Sequence, residues 1–182
     1  WLAAMARGIF QAGISWKVVE AKWPGIEAAF EGFVPGRVAM IEGDRLEALL
    51  GDTRVIRSGA KIVAIRDNAV FVQEVARESG GFGRRIADWP AEDFAGLLGW
   101  LGRNGSRLGG STGAYMLRHM GKESFILGPD VVARLVEEGV ISGPPGSARA
   151  MAAVQAAFSQ WRAQSGQPLN VISRVLAQSI GA

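Results

Sequence analysis

Apolar residues recur at three- and four-residue spacing along almost the whole chain, as in Ile62, Ile65, Ala69, Val72 and Ala76, a period that lines one face of an α-helix. The pattern predicts a mostly helical protein. The run Ala69-Val70-Phe71-Val72 is β-branched and aromatic enough for a strand. The helical spacing around it extends from Ser58 to Ser79, so a long helix is expected there. Breakers fall at Pro24-Gly25, Pro35-Gly36, Gly43-Asp44, Gly80-Gly81, Trp89-Pro90, Gly109-Gly110, Gly128-Pro129 and Gln167-Pro168, and in Gly143-Pro144-Pro145-Gly146. Each closes one helical pattern before the next begins, which predicts roughly eight to ten short helices. Ser142 to Ser147 reads as a linker, and Ala148 to Gln164 and Pro168 to Ile180 read as two closing helices.

A chain of 182 residues buries one sizeable core. One compact domain over 1–182 is expected, with a hairpin lobe over about 90–140 and closing helices over about 148–181. The composition is 48% hydrophobic and 20% charged, which is globular, and no window approaches the roughly 18 uninterrupted apolar residues of a membrane span. No membrane partner is expected. The absence of cysteine excludes disulfides, thiolate nucleophiles and thiolate metal sites, and the single His119 cannot build an imidazole cluster. The carboxylates do not cluster suggestively either, so neither a metal nor a cofactor is expected. A net charge of +3 and a pI near 9.8 permit nucleic-acid binding without demanding it. The chain opens at Trp1 with no initiator Met and no charged-then-apolar leader, which leads to the expectation of a trimmed, cytoplasmic protein.

The most telling stretch is Leu108-Gly109-Gly110-Ser111-Thr112-Gly113. Pro90 to Gly102 supplies a helix before it, with Phe94, Leu97, Leu98 and Leu101 on one face, and Thr112 to Met120 supplies a helix after it. A glycine-rich turn between two short helices turns several backbone N–H groups toward one phosphate. Gly109, Gly110, Ser111, Thr112 and Gly113 are therefore candidate phosphate contacts. Arg103, Arg107, Arg118 and Lys122 flank the turn, and Arg107 and Arg118 are the candidates for neutralising neighbouring phosphates. The same cations also fit a plain solvated face.

Two further elements could carry chemistry. Gly128-Pro129-Asp130 opens another helix, where free N–H groups and the helix dipole favour a carboxylate. Asp130 reads as an N-cap, and after a glycine hairpin also as a carboxylate that stabilises an oxocarbenium-like sugar or orients water. Phe10-Gln11-Ala12-Gly13-Ile14-Ser15-Trp16 combines aromatic rings, an amide and small residues, which suits a pocket for an extruded base. Phe10, Gln11, Ser15 and Trp16 are the candidate lining. The competing reading makes Phe10, Trp16 and Trp23 core aromatics and Ser15 a helix cap. No Lys lies within the hairpin, so a Schiff-base lyase has no obvious nucleophile there.

Gln11-Ala12-Gly13-Ile14-Ser15-Trp16, followed by Val55-Ile56-Arg57 and by Lys61-Ile62-Val63-Ala64-Ile65-Arg66-Asp67-Asn68-Ala69, resembles the bacterial 3-methyladenine DNA glycosylase I family. Gly109 to Val132 resembles the hairpin and Asp signature of the wider helix-hairpin-helix glycosylase superfamily. The resemblance implies an all-α, two-lobed fold with damaged double-stranded DNA across its cleft, a flipped base, and hydrolysis of the N-glycosidic bond without a cofactor. It further implies that Trp16 stacks on the base, Gln11 lines the pocket, Gly110, Ser111 and Thr112 hold phosphate, and Asp130 is the catalytic carboxylate. A bacterial, nucleoid-associated enzyme acting as a monomer is expected. Where the family commonly carries a Glu three positions before the pocket Gln, this chain has Gly8, and the family's Cys and His zinc site has no counterpart.

These readings lead to a monofunctional DNA glycosylase that removes alkylated purines such as 3-methyladenine in base excision repair. The alternative is a catalytically degenerate relative that binds damaged or abasic DNA without releasing base, which Gly8 favours. A helical protein with a small-molecule pocket is a third reading.

Overall fold

The computed structural model describes residues 1–180, and the expected closing segment reaches residue 181, outside them. Among the described residues every regular element is helical. The helices are α1 (Leu2–Gln11), α2 (Trp16–Ala29), α3 (Pro35–Val38), α4 (Gly43–Gly51), α5 (Gly59–Ser79), α6 (Phe82–Ala87), α7 (Phe94–Asn104), α8 (Gly110–His119), α9 (Pro129–Glu137), α10 (Ala148–Ser165) and α11 (Leu169–Gln178). Short 3-10 turns fill Glu31–Phe33 and Ala91–Asp93.

Helix α5 forms where the long apolar period predicts it, and Ile62, Ile65, Ala69, Phe71 and Val72 are all buried. The β-branched run within it stays helical because its neighbours bury one helical stripe, and packing overrides local strand preference. Helices α1, α3 and α6 pack on α5, while α7 and α8 pack together, α10 lies on α7, and α9 and α11 pair. Helix α1 also packs on α8, so the two groups share one continuous apolar core.

Three expectations are corrected. Pro24 does not end a helix, because α2 runs from Trp16 through it to Ala29. Val19, Trp23 and Ile26 keep the core face buried on both sides of Pro24, while Pro24 itself is exposed. The hydrogen bond that its missing N–H removes is therefore lost on the watered side. Eleven α-helices form among the described residues, more than the breakers alone predict, because the chain also breaks between α1 and α2 and between α4 and α5, where no Pro or Gly pair marks a boundary. The hairpin's first helix starts at Phe94, after a 3-10 turn, with the Asp93 carboxylate accepting from the Gly96 N–H.

Candidate nucleic-acid interface

The hairpin turn is shaped by backbone approach. A Cβ on Gly113 would lie 2.3 Å from the Leu108 carbonyl oxygen, and one on Gly105 would lie 2.5 Å from Leu108 Cδ1. Leu108 is fully buried beneath the turn. From the side, the fully buried Asn68 of α5 grips Ser106 twice: its Nδ2 donates to the Ser106 carbonyl and its Oδ1 accepts from the Ser106 N–H, both at 2.8 Å. The result is an α8 whose first residues, Gly110 and Ser111, are exposed and whose N-terminus has no side-chain cap. Gly110 adopts φ 58° with open space where a Cβ would be. First-turn N–H groups have no helical partner and carry the positive end of the dipole, so this end offers donors to an anion.

The basic flank divides in two. Arg103 and Arg107 are exposed, and Arg107 is itself in the left-handed region at φ 58°. Arg118, expected on phosphate, turns inward and donates to the Ser124 hydroxyl and carbonyl at 3.3 and 2.9 Å. Burial lowers its pKa from the ordinary arginine value. Lys122 donates to the Ala87 and Trp89 carbonyls, tying α8 to the end of α6. Both cations therefore hold the fold, giving their donors to carbonyls of this chain and not to a strand outside it. Gly113 is likewise buried at the α7–α8 contact, where its missing side chain serves packing and not phosphate. Thr112 turns its methyl toward α1, 3.3 Å from where a Gly8 Cβ would stand.

Beside the hairpin lies the turn between α1 and α2. Phe10 is fully buried with its ring edge-on to Phe30, 6.4 Å away, so it is a core aromatic and not a pocket wall. Trp23 is core as well, whereas Trp16 is 47% exposed. Ser15 is exposed at the N-cap of α2, without a side-chain cap bond. The edge of the turn is fixed by Lys61, whose ammonium donates to the Phe10 and Ala12 carbonyls at 3.0 and 2.6 Å. Burial, and secondly the nearby Arg107 cation, lower the Lys61 pKa. Gln11 donates from Nε2 to Glu20 at 3.2 Å, and Glu20 is paired with Arg7 at 2.8 Å.

The structure brings Trp16 against two residues that the sequence reading passed over. Tyr115 lies 5.5 Å from Trp16 at 89°, and His119 lies 6.2 Å from it at 72°. Both come from α8, one turn apart, on the side where Thr112 meets Gly8. The spacing Thr112, Tyr115, His119 was the signal available, since these positions share one helical face and carry polar or aromatic groups. The phosphate-binding candidates and the aromatic trio thus sit on a single ten-residue helix.

Asp130 lies in the first turn of α9, directly after Pro129, and is exposed. The N-cap position expected for it belongs to Gly128, because Pro129 takes the first helical position. Helix α9 packs chiefly on α11, whereas the helix that meets Trp16 through Tyr115 and His119 is α8, so Asp130 and the Trp16 cluster are carried by different helices. A groove of about 1010 Å³ runs between α7 and α10, bordered by Gly109, Gly110 and Ser111 but not by Trp16, Gln11 or Asp130. Among the described residues, no group of acidic or histidine side chains could hold a metal, and no helix is long and apolar enough to cross a membrane.

Residues 4–93 match the family model described as methyladenine glycosylase. The match ends just before α7, so the α1–α2 turn and α5 lie within it and the hairpin lies beyond it. Just under half of the chain therefore resembles that family, and the resemblance supports a methyladenine glycosylase role in general. No solved structure matches the chain.

Proposed function

We propose, with that family resemblance as the premise, that the protein is a DNA glycosylase that hydrolyses the N-glycosidic bond of alkylated purines, methyladenine among them. The observation that carries this reading is the join on α8, where an open, uncapped N-terminus and the Tyr115 and His119 rings against exposed Trp16 share one helix. A phosphate held by the Gly110 and Ser111 N–H groups, with Arg107 and Arg103 nearby, sets the strand's position. An extruded base then meets the Trp16 indole and the Gln11 amide.

In the reaction the bond from the sugar C1′ to the base nitrogen breaks with its electron pair leaving on the base, and water oxygen bonds to C1′ and gives up a proton to surrounding water. Alkylation at N3 or N7 makes the base cationic, so it departs as a neutral molecule and asks little of a general acid. Asp130, exposed at the start of α9 and outside the Trp16 cluster in the protein without DNA, is assigned the negative charge that the electron-poor sugar meets, or the orienting of the water, once a strand spans α8 and α9. No step requires a lysine nucleophile or a cofactor.

Chromatography of bases released from methylated DNA tests the reading: free alkylated purine is expected, and its absence overturns the hydrolase assignment. Asp130→Asn is expected to slow release by about 10²-fold or more while leaving DNA binding intact, and wild-type release would remove Asp130 from the mechanism. A second reading, a relative that binds damaged DNA without chemistry, is favoured by the crowding of Gly8 against Thr112, which leaves little room for a longer side chain at that position. Gly110→Glu abolishes binding under both readings, but only the first yields free base.

A further inference from the structure

We infer that Glu20 is a positioning residue that fixes the Gln11 amide so that its oxygen, and not its nitrogen, faces the ligand, making the site selective for purines that carry an amino group at the 6-position. This deepens the proposed function and rests on the reading of the Trp16 side as the base site.

The argument starts from what each group can do. An ionised carboxylate only accepts hydrogen bonds, and a guanidinium only donates them. Glu20 takes two bonds from Arg7 Nη1, at 3.1 and 2.8 Å, and one from Gln11 at 3.2 Å. The atom of the Gln11 amide that faces Glu20 must therefore be the NH₂ nitrogen, because an amide oxygen there would set two acceptors against each other. Arg7 is held in turn, its guanidinium 4.2 Å above the Trp23 ring. A chain of contacts from buried Trp23 through Arg7 and Glu20 thus ends on one orientation of one amide.

That orientation leaves Gln11 Oε1 as the free end. It accepts no hydrogen bond among the described residues, and no buried side-chain oxygen or nitrogen there lacks a partner, so Oε1 is open to solvent. Glu20 follows Trp16 by one turn on the same side of α2, so the carboxylate that holds the Gln11 amide starts from the helical position next to that of the exposed indole. A 6-amino group offers it a donor. A 6-oxo group offers another acceptor and is repelled. The Gly8 position, which Thr112 crowds, does not need to supply a carboxylate for this discrimination, since an acceptor is already present on Gln11.

The test uses the whole chain and free bases, with the exposed Trp16 as fluorescent reporter. 3-Methyladenine and 3-methylhypoxanthine differ in their amino and oxo groups at C6 and in the proton at N1. Wild type is expected to favour the amino base by about tenfold, the scale of one mismatched polar contact. Glu20→Gln lets the Gln11 amide turn either way, so the preference should fall to within about twofold, with Glu20→Asp restoring part of it and melting temperatures close to wild type. A merely structural Glu20 would weaken binding of both bases alike. Equal binding by wild type, no binding of either base, or an unchanged ratio in Glu20→Gln each overturns the inference. Release of bases from methylated DNA, measured in parallel, separates the two ideas. Preference without release sinks the hydrolase reading alone, and release with an unchanged ratio sinks this one alone.

Discussion

The hairpin between α7 and α8 and the turn between α1 and α2 lie on either side of the same helix contact, yet they are held by opposite means. The hairpin is fixed by backbone against backbone: Gly113 on the Leu108 carbonyl, Gly102 beside Gly109, and Asn68 clasping Ser106. The α1–α2 turn is fixed by long side chains reaching in, with Lys61 on two carbonyls and Arg7, Glu20 and Gln11 in a relay. Close backbone contact leaves no slack, because interiors cannot absorb even one added carbon without strain. Side-chain relays can be rewired one residue at a time. A phosphate is the same at every nucleotide and suits the first kind of construction, whereas base identity varies and suits the second.

The sharpest way to break the comparison is to add one carbon to the hairpin. Gly113→Ala places a methyl 2.3 Å from the Leu108 oxygen, and the turn has to open to admit it. Destabilisation of about 3 kcal/mol or more is expected by chemical denaturation, and a loss under about 1 kcal/mol would mean that the hairpin has slack after all. Asn68→Ala comes next. It leaves the Ser106 N–H and carbonyl without their partners in a part-buried setting, which costs about 2–4 kcal/mol. Amide exchange should quicken first at 105–109 if the clasp holds the turn in particular.

Much of this contrast was legible in the amino-acid sequence, and the parts that were not have a common cause. Helix α5 was readable because an apolar stripe spanning Ile62 to Val75 has only one way to bury itself. The hairpin was readable because glycine needs backbone proximity or positive φ to justify its entropy cost, and Gly110 and Gly113 supply one each. What periodicity cannot tell is which way a long side chain reaches. Arg118 and Lys122 look identical to Arg103 and Arg107 in a basic flank, and only the fold shows the first pair satisfying carbonyls inside. Phe10 and Trp16 are both aromatic in one motif, but Phe10 is on the buried face of α1 and Trp16 begins the next helix at the surface. Tyr115 and His119 were missed because their role depends on which helix α8 meets.

On the other side of the comparison, Lys61→Met keeps the length of the side chain and removes its charge. Two carbonyls at the end of α1 then lose a cationic donor, and relief of the repulsion from Arg107 offsets a little of that loss. A net destabilisation of about 1–2 kcal/mol is expected. The α1–α2 turn should loosen while the hairpin keeps its protection from exchange, and equal loosening of both would show that the two regions are one unit.

The smallest effect is also the one with two signs. Arg107 sits at φ 58° in the hairpin turn, where an L-residue pays roughly 1–2 kcal/mol that glycine does not. Glycine also gains freedom in the unfolded chain, so Arg107→Gly should raise stability by no more than about 1 kcal/mol. A residue kept in a costly conformation at an exposed position is better explained by what its side chain does. If Arg107 neutralises one phosphate, the same substitution makes the slope of log affinity for DNA against log salt shallower by about 0.9, with little change in preference among sequences. Higher stability together with a shallower slope places Arg107 among the groups that grip the strand. Higher stability with an unchanged slope leaves the α8 N-terminus and Arg103 to do so alone.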